Sequence, residues 1–79
     1  MNTTTQPRMV KLQINSSGAW RDVVRFDIDA QDGEAIQVAA VNLVTLADPD
    51  GRTSLRIATA DAFQTALVRW DAKKGWVDA

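Results

Sequence analysis

The chain has 79 residues, of which 46% are hydrophobic and 24% charged, with a net charge of −1; this describes one small globular domain and excludes strong bulk attraction to nucleic acid or anionic lipid. Cysteine and histidine are both absent, which rules out disulfides, thiolate metal sites, His-ligated metals and nucleophile systems of the Ser/His/Asp or Cys/His kind. Tyrosine is absent too, so acid–base chemistry would rest on carboxylates and lysine alone; no catalytic residue, no cofactor and no enzymatic role is expected.

The segment Met1–Pro7 is polar and lacks an apolar signal core, and no apolar run reaches the ~18 residues of a membrane span. The expectation is a soluble, cytoplasmic chain with a disordered tail over 1–7 and a single domain over 8–79. After Pro7, Val10, Leu12 and Ile14 alternate with Lys11, Gln13 and Asn15, a period of two that predicts a half-buried strand. Asn15-Ser16-Ser17-Gly18 reads as a turn. From Ala19 to Ile28 the alternation resumes with Val24, Phe26 and Ile28, and Trp20 falls in phase with this apolar set, completing a predicted hairpin.

From Glu34 to Ala47 the period lengthens. Ile36, Ala39, Ala40, Leu43, Val44, Leu46 and Ala47 share one arc of a helical wheel. Asp32 or Asp29 is placed to cap the helix, Glu34 suits the positive end of its dipole, and Asp48-Pro49 ends it. The acidic run from Asp27 to Glu34 does not have the spacing of an EF-hand loop, because position 12, counting Asp27 as position 1, is Val38 rather than a bidentate glutamate. No metal site is expected there.

Period two returns with Leu55 and Ile57, then with Val68 and Trp70, before the turn Asp71–Gly75 and a closing strand at Trp76-Val77. Residues 59–67 tolerate helix or strand, and strand is the preferred reading. The order is therefore ββαβββ, an α+β fold with one helix packed on one face of a mostly antiparallel sheet. Phe26, Ile36, Leu43 and Ile57 are expected to be almost fully buried.

Two surfaces stand out. Strict alternation turns Lys11, Arg21, Arg25, Arg56 and Arg69 away from the helix, together with Val23 and Leu67, while no aromatic residue is in phase with them except Trp76 from the last strand. The plain reading of this face is solvated, with cross-strand pairs to Asp71 or Asp27. Its functional readings are an acidic protein partner and, as the alternative, a nucleic-acid-binding module. On the helix, Val38 and Val41 share an outer face with Gln37, Asn42 and Thr45 that carries no charge, a pattern expected of a weak homodimer seam or other interface.

The stretch Ser54-Leu55-Arg56-Ile57-Ala58-Thr59, followed by Val68-Arg69-Trp70-Asp71 and Gly75-Trp76-Val77-Asp78, resembles small uncharacterised proteins of bacterial phages and prophages. In element order it is also similar to some small phage anti-CRISPR inhibitors. The resemblance covers the last third of the chain; it implies a mobile-element origin and action by binding a host protein complex, and it brings no catalytic residues with it.

Overall fold

The structure, a computed structural model, describes residues 8–30 and 32–79, with Asp32 described in its backbone alone. The expected tail over 1–7 and the expected cap by the Asp32 carboxylate lie outside the described residues. The elements are β1 (Met9–Asn15), β2 (Arg21–Asp27), α1 (Asp32–Ala47), β3 (Ser54–Thr59), β4 (Ala66–Asp71) and β5 (Gly75–Asp78). The ββαβββ order is as expected. Residues 60–65, within the segment read as strand, form neither strand nor helix but a turn leading into β4.

The strands form one antiparallel sheet in the order β2-β1-β3-β4-β5. Because β1 pairs antiparallel with both β2 and β3, those two strands run in the same direction, and α1 is the crossover that joins them. The first turn is closed by the Gly18 N–H donating to Asn15 Oδ1 at 2.8 Å. Beyond α1, the Asp48 carboxylate accepts from the Arg52 N–H at 3.0 Å and the Thr53 hydroxyl at 2.7 Å, so one side chain ties the helix end to the start of β3. Gly51 in this turn has φ +74°, and a Cβ there would lie 2.9 Å from Ala72 Cβ, so only glycine fits.

The core is small. Val10 and Leu12 of β1, Phe26 of β2, Leu55 and Ile57 of β3 and Trp70 of β4 meet Ala40 and Val44 of α1. Trp76, directly opposite Trp70, packs against this cluster.

Two strand irregularities correct the simple alternation. Leu12 faces Val24 but Gln13 faces Asp22, so Val23 is an extra residue in β2; Ile57 faces Val68 but Ala58 faces Ala66, so Leu67 is an extra residue in β4. A bulge lets two successive residues share one side of a sheet and shifts the phase beyond it. Val23 and Val24 therefore both border the helix side, and Leu67 and Val68 both pack against the core. Upstream of the β2 bulge the faces are exchanged: Arg21 lies opposite Ile14 on the helix side, and Trp20, expected in the core, stands on the other side with its ring 4.4 Å from the Arg56 guanidinium.

The helix is also rotated from its expected setting. Ala40 and Val44 are buried, and Ile36 and Val41 pack against the core from half-buried positions. Leu43, expected inside, is 67% exposed, and Leu46 is 83% exposed. Val41 thus belongs to the packed side, and of the expected outer valines only Val38 is exposed.

Candidate functional site

The sheet face opposite α1 is not a row of solvated cations. Lys11 and Gln13, which alternation places on that face, are 6% and 1% exposed. What covers them is a polar network. Gln13 Nε2 donates to Asp22 Oδ1 at 2.7 Å and to Gln64 Oε1 at 2.8 Å, while its Oε1 accepts from Arg56 Nε at 2.7 Å. Every polar position of this buried amide has a partner, as burial requires. Lys11 Nζ donates to Asp22 Oδ2 at 3.3 Å, and Ala58, directly across from Lys11, leaves room for the lysine stem.

The five expected site residues separate on this frame. Lys11 is neutralised by Asp22. Arg56 is held between the Gln13 amide and the Trp20 ring, a cation–π arrangement. Arg21 belongs to the opposite face. On the face opposite α1, Arg25 and Arg69 remain exposed, and neither makes an ion pair with a described residue. Arg69 lies directly across from Arg56, a like-charge pairing that is unfavourable unless one partner is engaged elsewhere; the Trp20 stack engages Arg56. A cleft of about 120 Å³ lined by Trp20, Ser54, Arg69 and Asp71 lies beside them.

The alternation left one residue unnoticed. Phe63 is 87% exposed in the turn between β3 and β4. The Asp61 carboxylate accepts from the Thr59 hydroxyl at 2.7 Å and from the N–H groups of Phe63 and Gln64 at 3.1 Å each. The Thr65 N–H donates to the Thr59 hydroxyl at 2.9 Å. Gln64 adopts φ +48°, a left-handed conformation that is uncommon for a residue with a side chain, and its amide is bonded to Gln13. A large ring is thus presented to solvent on a pinned turn. The available sequence signal was an aromatic directly after Asp61-Ala62, where an aspartate commonly nucleates a turn.

Hydrogen bonds set the electrostatics of the face. Asp61 is held below the usual carboxylate value of 3.8 first by the Thr59 hydroxyl and then by the turn N–H groups; Asp22 is held below it first by the Gln13 amide, then by Lys11 and Arg25. Asp48 and Asp71 are lowered by their own turn donors. A carboxylate whose folded value lies below its unfolded value stabilises the fold above the unfolded value, and that stabilisation is lost as pH falls through the folded one. Urea midpoints are therefore expected to be level from about pH 7 to 5 and to drop below about pH 4. Asp61→Asn should flatten part of the drop, and a midpoint that rises on acidification contradicts these assignments.

Among the described residues no group of three or more His, Cys, Asp or Glu side chains is placed to hold a metal ion, and no described helix is long and apolar enough to cross a membrane. No protein-family model matches the chain, and no curated protein or solved structure does either.

On the helix side a second feature appears. Between α1 and the β1–β2 half of the sheet runs an apolar groove of about 250 Å³, bordered by Ile14, Val23, Val24, Ile36 and Leu43. One helix is too narrow to cover five strands, and the β2 side is left open.

Proposed function

We propose that this chain is a non-catalytic binding module that engages an acidic protein surface through the sheet face opposite α1, with Phe63 as its anchor. One observation carries the reading: an aromatic ring exposed to 87% on a turn locked by side-chain and backbone hydrogen bonds. Exposed aromatics and arginines are the side chains that most often dominate protein interfaces. A turn already fixed in its conformation loses little entropy on binding. Arg25 and Arg69, on the sheet face opposite α1 and without an ion pair to a described residue, supply positive charge, and the Arg56–Trp20 stack supplies a flat, rigid floor. Such a module acts by occluding its partner, the mode implied by the likeness of the C-terminal strands to small phage and prophage proteins; an origin on a mobile element belongs to the same proposal.

The nucleic-acid alternative gains aromatic side chains from Trp20 and Phe63 but loses cations. With Lys11 and Arg56 engaged and Arg21 on the other face, two of these five cations, Arg25 and Arg69, remain without an ion pair to a described residue. Counterion release from so few contacts supports only weak binding, with a log–log salt slope of about −2 or shallower.

Affinity capture from host lysate treated with nuclease tests the reading, using wild type, Phe63→Ala, Arg69→Glu and an Asn42→Ser control at an exposed position of α1. The expected result is a partner retained by wild type and control and lost with Phe63→Ala, whose affinity falls by about 30-fold or more. Arg69→Glu should weaken binding in a salt-dependent manner. Capture indifferent to both changes overturns the assignment of this face. Tight binding of a generic single-stranded oligonucleotide, abolished by Phe63→Ala, replaces it with the nucleic-acid reading.

A further inference from the structure

We infer that the apolar groove beside α1 is occupied by a second copy of this chain, related by a two-fold axis. This concerns the face opposite the proposed partner site and does not depend on it.

The first support is area. Leu43 and Leu46 are 67% and 83% exposed, one helical turn apart, and Val23 and Val24 beside them are 55% and 39% exposed. Together they leave on the order of 400 Å² of apolar surface, a size that on a monomer is often functional. A standard interface takes about 800 Å² from each partner, of which roughly 55–65% is apolar; the patch is close to that share.

The second support is charge. No charged residue occurs from Ala35 to Ala47. Its apolar residues occur around the circumference, interrupted only by Gln37, Asn42 and Thr45, yet the sheet packs only against the stripe of Ile36, Ala40, Val41 and Val44. In an isologous contact each residue near the axis meets its own copy, so a charged patch would repel itself and a charge-free one suits a second copy. A strongly charged foreign partner would find no complement here.

The β2 edge itself is an unsuitable seam, because its bulge at Val23 disrupts ladder pairing.

Sedimentation velocity from about 5 to 500 μM, with circular dichroism beside it, tests the inference over the range where a dimer of this size would dissociate. Wild type is expected to shift from monomer to dimer across the series. Leu43→Lys and Leu46→Lys, both at exposed positions, should each weaken association by tenfold or more while leaving the spectrum unchanged. A wild type that remains monomeric throughout overturns the inference. So does a dimer that survives both lysine substitutions, which would place the contact elsewhere. If Leu43→Lys unfolds the monomer, the outcome is read from Leu46→Lys.

Discussion

Replacing Phe26 with alanine is expected to unfold most of the population at 25 °C. The ring is only 5% exposed although it lies on an edge strand. Opposite it in the ladder is Val10, and a Cβ added at Gly33 would lie 3.5 Å from Phe26 Cε2. Phe26 therefore closes the junction where β2 gives way to α1, holding the helix start against the sheet. Truncating a buried phenylalanine costs about 3–5 kcal/mol, whereas a single small core of this size supplies only about 3–5 kcal/mol in total. The two magnitudes are equal, so the folded fraction collapses. Urea denaturation followed by circular dichroism gives the result directly. A variant that stays cooperative with an unchanged midpoint contradicts the packing described for this junction.

The second large effect is polar. Gln13→Ala should destabilise the fold by about 2–3 kcal/mol, since it removes a fully buried side chain bonded to three others and leaves half-buried Arg56 without its acceptor. The Gln64 amide oxygen loses its donor as well, while Asp22 loses one of two and keeps Lys11. Cross-linked networks of this kind are not additive: Gln64→Ala alone should cost less, and its further effect in a Gln13→Ala background should be small, giving a coupling of about 0.5–3 kcal/mol. Urea midpoints of the two single variants and the double variant complete the cycle. Strict additivity would mean that the amide–amide bond contributes nothing to holding the Phe63 turn.

The sequence made the elements legible and left their faces partly hidden, for identifiable reasons. Alternation through Val10, Leu12 and Ile14, and again through Leu55 and Ile57, is a direct imprint of a sheet buried on one side, and it located β1 and β3. The change of period at Glu34 likewise located α1. A bulge, however, adds a residue without altering the composition of its strand. Val23 and Val24 read as consecutive members of an alternating series, and only the pairing of Gln13 with Asp22 reveals the slip. That single slip moved Trp20 and Arg21 to opposite faces and turned an apparent row of five cations into a network that leaves Arg25 and Arg69 without an ion pair to a described residue. The helix was ambiguous in a different way. With apolar residues around its circumference, a wheel cannot choose between Val41 and Leu43; the sheet chose Val41. Phe63 escaped notice because alternation seeks burial, and a ring displayed on a turn belongs to no periodic pattern.

The strand order has a consequence for how the chain reaches this fold. β1–β2, β3–β4 and β4–β5 are neighbours both in sequence and in the sheet, and each can close locally. The exception is the β1–β3 ladder, running from Val10 opposite Thr59 to Asn15 opposite Ser54, which encloses an entire strand and the helix between its two sides. Closing a loop of that length carries an entropic cost before any of its contacts form, and topology makes such non-local pairing the slow event. The domain is in this sense two local halves, a hairpin with its helix and a three-stranded meander, zipped together along one seam. Leu12 and Ile57, directly opposite each other at the middle of that seam, are the residues whose meeting makes the two halves one cooperative unit.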